Sequence, residues 1–215
     1  MIPAMIVPIL TRPELLHRLL DSIDYPVRHL VIIDNGGVLP LGQQVVENVQ
    51  RTSVVHMPAN LGVSGSWNLG VKATPMAPWW LVVNSDAYFP AGSLARFDNE
   101  AKRGALTLSG GAPEWCAFAL GDEALERVGV FDEMLHPAYW EDTDWIRRAN
   151  AAGVPVIASG IPVHHDNSST LAAGYQRHNE VSFPANAAYY ADKVAREDYG
   201  PGGWSLARRR ALSWD

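Results

Sequence analysis

Short apolar runs alternate with stretches of helical periodicity through the first half of the chain. Ile6–Leu10 is an apolar run and predicts a buried strand. Thr11-Arg-Pro-Glu14 follows, with the Thr-x-x-Glu spacing of a capping box and Pro in the first turn. Leu15, Leu16, Leu19, Leu20 and Ile23 then recur at helical intervals, so Thr11–Ser22 is expected to be an amphipathic helix. Leu30–Ile33 predicts a second buried strand, ended by Asp34-Asn-Gly-Gly37. A short helix is expected over Val45–Val49, a third strand over Ser53–His56 and a helix near Ser64–Lys72. Trp79–Val83 is wholly apolar and stops at Asn84-Ser-Asp86, as a fourth strand and its exit turn would.

The second half is less regular. Leu94–Arg103 predicts a helix, Ala105–Leu108 a strand, and Gly110-Gly111 a turn. Glu123–Val128 predicts a short helix closed by Gly129, and Thr143–Ala152 a longer one with Gly153 as its C-terminal cap. Val154–Ala158 predicts a further strand, and Tyr175–Asp198 is broadly helical with a break at Pro184. Strands alternating with helices specify an α/β fold, a Rossmann-like, mainly parallel sheet flanked by helices. Ligands of such sheets bind beyond the carboxyl ends of the strands. Asp34, Asn60 and Asp86 all fall just past such ends, although they are far apart in sequence.

Three clusters could carry chemistry. Asn84-Ser-Asp86 puts a carboxylate at a strand tip, where Mg²⁺ commonly takes one or two carboxylates together with phosphate oxygens. The same three residue types also favour a plain turn. Tyr139-Trp-Glu-Asp-Thr-Asp144 places three carboxylates within four residues, beside His136 and two bulky rings. An acidic first helical turn accounts for Asp144 through the helix dipole, but not for the flanking aromatics, which suit a sugar-stacking wall. Val163-His-His-Asp-Asn-Ser-Ser-Thr170 sets two imidazoles in a polar loop, and neutral imidazole is a competent Mn²⁺ ligand.

Composition narrows the picture in three respects. The chain has 215 residues with ordinary globular hydrophobicity, enough to bury a sizeable core without disulfides. Its one cysteine, Cys116, excludes an internal disulfide, fits a reducing compartment and lies in no basic setting that would make it a nucleophile. The formal net charge of −6 weighs against nucleic acid as a partner. Arg208-Arg209-Arg210 is the exception, read either as a solvated helix end or as a contact for an anionic acceptor or membrane surface. No apolar run approaches the roughly 20 residues of a membrane span, so a cytoplasmic location, free or peripheral to a membrane, is expected.

Taken in order, the segments resemble the family 2 glycosyltransferases, GT-A-fold enzymes that include bacterial rhamnosyltransferases. The blocks are Val31-Ile-Ile-Asp-Asn-Gly36, Asn60-Leu-Gly-Val-Ser-Gly-Ser-Trp-Asn68, Leu81-Val-Val-Asn-Ser-Asp86, Gly129-Val-Phe-Asp-Glu133, Glu141-Asp-Thr-Asp144, and Val163-His164 with Ser169. The resemblance implies a nucleotide-sugar-dependent catalytic domain over 1–174 and a helical extension over 175–215 packed on it, covering the acceptor site or mediating a homodimer. It implies that Pro8, Thr11 and Asp34 line the base and ribose, and that Asn60, Gly65, Asn68 and Ser85 shape the donor pocket. Asp86 would hold Mn²⁺ or Mg²⁺, with His164 preferred over His165 as its partner. Asp142 would be the catalytic base and Glu141 would orient it or touch a substrate, with Trp115, Tyr139 and Trp140 as the acceptor or sugar wall.

The implied reaction is inverting transfer from a UDP- or dTDP-sugar to a hydroxyl of a glycan, lipid-linked sugar or protein. Two departures matter. Asn84 stands where the usual Asp-x-Asp has an acid, and a Gln-x-x-Arg-Trp segment is absent, which disfavours a processive synthase. The missing acid leaves a catalytically silent nucleotide-sugar-binding or scaffold protein as the alternative. A nicotinamide-dependent oxidoreductase needs a glycine-rich turn after the first strand, where this chain has Leu10-Thr-Arg-Pro13. A nucleotidyltransferase would show a basic glycine-rich loop there, which is also absent.

Overall fold

The computed structural model describes residues 1–40, 45–110, 114–166 and 171–201. The expected turn residue Gly111, Ser169 and Arg208–Arg210 therefore lie outside the described residues. Strands β1 (Met5–Ile9), β2 (Val27–Asp34), β3 (Val49–His56) and β4 (Trp79–Val83) alternate with helices α1 (Pro13–Asp21) and α2 (Gly62–Ala73). A two-residue strand β5 (Ala87–Tyr88), helix α3 (Ser93–Glu100), strands β6 (Leu106–Gly110) and β7 (Ala117–Gly121), and helices α4 (Asp122–Val128) and α5 (Glu141–Ala151) follow. Strands β8 (Val156–Pro162) and β9 (His164–His165) and the long helix α6 (Gln176–Ala195) follow, with short helical turns at Glu114–Cys116 and Leu171–Tyr175.

The main sheet has the order β3-β2-β1-β4-β7-β6-β8. Its β3-β2-β1-β4 half is parallel, whereas β7 runs antiparallel to both β4 and β6. The chain winds outward from β1 to β3 and then restarts at β4 on the other side of β1. That reversal opens a crevice at the carboxyl ends of β1 and β4, where ligands of open α/β sheets bind.

Period-two alternation assigns the two faces. Met5, Val7, Ile9, Leu81 and Val83 face α1 and α3, against Leu16, Leu19 and Phe97. Ala4, Ile6, Trp80, Val82 and Phe118 face α2, α4 and α5, against Trp67, Val71, Ala124 and Trp145. Wholly apolar strands are what a sheet covered on both sides requires. Helix α2 comes closest at Gly70, where a Cβ would lie 2.4 Å from the Ile6 side chain.

Three local expectations are corrected. Arg12, in a left-handed conformation (φ 59°), precedes α1, and no side chain caps that helix. Thr11 therefore lies outside the helix, and Glu14 pairs with Arg12 Nε at 2.7 Å instead of closing a capping box. Val49 opens β3 and residues 47–48 form a turn, so Val45–Val49 is not a helix. The apolar spacing of that stretch belongs to the edge of the sheet, with Val46 and Val49 packed against the core. Pro184 lies inside α6 without ending it. The predicted C-terminal cap of α5 holds: Gly153 has φ 63° and Val154 N reaches Ala149 O at 2.8 Å. Among the described residues no helix is long and apolar enough to cross a membrane.

Candidate active site

The strand tips do not present all the expected residues equally. Asp34 ends β2 fully buried, with Oδ1 accepting from Val38 N and Oδ2 from Leu39 N and the His56 imidazole. This carboxylate anchors the loop after β2, and His56, at the end of β3, becomes the more exposed group at that edge. Pro8 is half-buried in β1, paired with Ile33, and Thr11 is half-buried in the bend before α1. Asn60 accepts from Gly62 N at 2.9 Å and so shapes the entry to α2. Asn35, which the sequence reading passed over, joins these pieces: its amide donates to Ser66 Oγ at 2.8 Å and accepts from Leu61 N at 3.0 Å.

Asp86 lies buried in the turn between β4 and β5 beside the half-buried Ser85. The β5–β9 ladder pairs Ala87 with His165 and Tyr88 with His164. That register brings His165, not His164, to the carboxylate, with Nε2 2.9 Å from Asp86 Oδ1. His164 is exposed and lies against the Tyr88 ring, 4.8 Å between centroids. The preferred partner for Asp86 is thus reversed, because adjacent residues of an extended strand point to opposite faces. Adjacent imidazoles look alike in sequence, and only the pairing register separates them.

Helix α2 connects the strand tips to the acidic cluster. Asn68 donates to Phe131 O at 2.9 Å and to Glu133 Oε1 at 3.0 Å, and accepts from Phe131 N at 3.0 Å. Its amide is an anchor for the 131–133 loop. Gly65 sits on the same side, its hypothetical Cβ 4.0 Å from Glu133 Oε2. Gly62, at φ 73°, packs so closely on His136 and Pro137 that a Cβ would come within 2.6 Å of the imidazole, and Val63 N donates to Pro137 O at 2.7 Å. Glycine is required there by both the backbone angle and the contact.

Tyr139 and Trp140 turn the chain into α5 with φ of 73° and 76°, two successive left-handed residues that carry side chains. Each such residue costs about 1–2 kcal/mol and persists only where its surroundings hold it. Tyr139 and Trp140 pack on the Phe183 ring of α6, and Trp140 stacks on Tyr190 at 5.3 Å. Trp115, expected beside them, stacks with Trp67 and meets Phe118 and Phe131 edge-on in a separate aromatic cluster.

Glu141 and Asp142 occupy the first turn of α5 in different surroundings. Asp142 is half-exposed, its Oδ1 accepting from Thr143 N at 2.6 Å and Thr143 Oγ1 at 3.1 Å. Glu141 is buried, and its Oε2 has no hydrogen-bond partner among the described residues. Burial first, and the Asp142 charge second, push its pKa up to about 8. Glu141 is therefore a neutral acid at neutral pH, beside the Asp142 carboxyl. The folded state then retains a proton that the unfolded chain, with the ordinary value of 4.5, has released. Glu141 thus costs stability progressively as pH rises from about 4.5 to about 8. Glu141→Gln should gain stability relative to wild type across that window in urea titrations. A difference that stays constant with pH would rule out the buried neutral acid.

Asp144 and Asp132 belong to a different system. Lys193 Nζ, fully buried, lies 2.7 Å from Asp132 Oδ2 and 2.9 Å from Asp144 Oδ1. Arg148 Nε meets Asp144 Oδ2 at 2.7 Å, while its terminal nitrogens donate to Val128 O and Val130 O. The helical spacing of Phe183, Asn186, Tyr190 and Lys193 was the sequence signal for this docked face of α6. Cys116 is buried, with desolvation raising its thiol pKa, which agrees with an inert residue.

Comparison with known proteins fits this architecture. Residues 5–117 match the sequence model of glycosyl transferase family 2, more than half of the chain but short of the Glu141–Asp142 pair. A curated relative, a galactofuranosyl glycosyltransferase of Leishmania donovani, is 37% identical over 98 residues, which are 44% of this chain and 22% of that protein. A mannosyltransferase from Pyrobaculum calidifontis, solved with GDP-Man and Mn²⁺, superimposes with a TM-score of 0.62 at 15% identity, over 97% of this chain and 67% of that one. TarS from S. aureus gives 0.58 at 15% identity, over 99% of this chain and 42% of that one. The fold is therefore GT-A, and the chain belongs to glycosyl transferase family 2.

Proposed function

We propose that the protein is an inverting glycosyltransferase that moves a sugar from a UDP- or dTDP-sugar to an acceptor hydroxyl. The observation that carries the reading is Asp86, buried at the tip of β4 beside the topological reversal and flanked by His165, within the residues matched to the family. A divalent cation fits this donor set. Neighbouring ligands about 2.1 Å from one small cation lie about 3 Å apart, close to the 2.9 Å between Asp86 Oδ1 and His165 Nε2. No group of three or more His, Cys, Asp or Glu suited to a metal occurs among the described residues, so diphosphate oxygens would complete the shell. Asp86 and His165 would hold Mn²⁺ or Mg²⁺, which supplies Lewis-acid stabilisation of the departing diphosphate.

The chain's own groups account for the remaining chemistry. Asp142 takes the proton of the acceptor hydroxyl. The oxygen of the acceptor hydroxyl forms the new bond to the anomeric carbon as the bond to the diphosphate breaks, and nucleoside diphosphate leaves. One base and one displacement give inversion. Thr143 holds Asp142 Oδ1, and Oδ2 has no hydrogen bond among the described residues, which suits it to receive that proton. Glu141, neutral at pH 7, adds no second charge to repel the departing diphosphate.

Release of nucleoside diphosphate from a panel of UDP-, dTDP- and GDP-sugars with Mn²⁺ or Mg²⁺ tests the reading. Wild type should release it slowly, and Asp86→Ala should be about a hundredfold slower. Binding of a nucleotide sugar without any turnover would instead support the silent binding protein.

A further inference from the structure

We infer that α6 is a positioning element for the acid pair: Asn186 and Tyr190 hold the left-handed corner Tyr139–Trp140, and Lys193 holds Asp144, so that Glu141 and Asp142 are presented in one orientation. The inference rests on the proposed transfer reaction for its catalytic consequence, and on packing alone for its structural one.

The acid pair lies between two clamps in the chain. Before it, the fully buried Asn186 donates from its amide to Ala138 O at 2.8 Å, and Trp140 lies against Tyr190 with planes 28° apart. After it, Asp144 is tied to Lys193 and Arg148. Asn186, Tyr190 and Lys193 recur at i, i+4 and i+7, so one face of one helix makes all three contacts. Nothing in the backbone preference of Tyr139 and Trp140 favours a left-handed conformation, and their own α5 begins only after them. The restraint comes from outside the loop. A base displaced by about 1 Å loses on the order of a hundredfold in rate, so a clamp of this kind acts on turnover rather than on donor affinity.

Two measurements on the full chain decide the matter. In hydrogen exchange, Tyr190→Ala and Asn186→Ala should speed exchange at residues 138–144 by about tenfold while β1, β2 and β4 stay protected. On whichever of UDP-galactose, UDP-GlcNAc, dTDP-glucose and GDP-mannose wild type hydrolyses, Tyr190→Ala should lower kcat by about 30-fold and change donor KM less than about twofold. Tyr190→Phe, which keeps the ring, should restore both readouts. Unchanged exchange at 138–144 would overturn the inference, as would faster exchange with unchanged kcat. If wild type hydrolyses none of these donors, the transfer reading fails for them, while hydrogen exchange still decides whether α6 holds the corner.

Discussion

Asp142→Asn is expected to abolish most transfer to an acceptor hydroxyl, by about a thousandfold in kcat, while leaving donor affinity within about twofold of wild type. The substitution keeps size, shape and the acceptor for Thr143 N, so the first turn of α5 is preserved. It removes only the capacity to take a proton. A neighbouring carboxylate cannot substitute, because Glu141 already carries its proton until pH approaches 8 and Asp144 is held by Lys193 and Arg148. Stopped-assay kinetics with a true acceptor, together with calorimetric titration of nucleoside diphosphate, separate the two quantities. Near-normal transfer by the variant would remove Asp142 from the role of base.

Lys193→Met should be the most destabilising single change on α6, at about 3–5 kcal/mol, because it removes a cation shared by two buried carboxylates. For a chain of this size that lowers Tm by about 10 °C. The loss falls unequally. Asp144 keeps Arg148, whereas Asp132 keeps, among the described residues, the Tyr189 hydroxyl and the Met134 amide but no cation. Adding Asp132→Asn to Lys193→Met should therefore recover more stability than adding Asp144→Asn. Urea unfolding of the two double variants measures this coupling. Equal recovery would mean that the lysine charge is shared differently from the distances.

The architecture was legible because its signals are local. Apolar strands of five residues and the 3.6-residue repeat of Leu15, Leu16 and Leu19 depend on neighbours in the chain. The acid pair and Asp86 were legible as residue types at strand and helix ends. What escaped depends on the conformation and the partner each residue takes in the folded chain, whether near or far in sequence. Thr11-x-x-Glu14 satisfied a capping pattern, yet Arg12 takes the left-handed conformation before the helix. Two adjacent histidines could be ranked only by the pairing of β5 with β9. Asp34 and Asn68 were expected at a ligand, and both are engaged by backbone groups that no spacing rule connects to them. Tyr139 and Trp140, read as a wall for a sugar, give part of their ring surface to α6.

The buried pair of Asp132 and Lys193 also has a consequence for synthesis of the chain. The lysine is made 61 residues after the carboxylate it neutralises. At about 5–20 residues per second, Asp132 waits several seconds on the ribosome before that cation exists. An unpaired carboxylate stays in water through that interval, so the loop that carries it cannot settle until the helix that will cover it has been made. The sheet with its strand-tip crevice can assemble from earlier sequence, and the acid corner is completed after it.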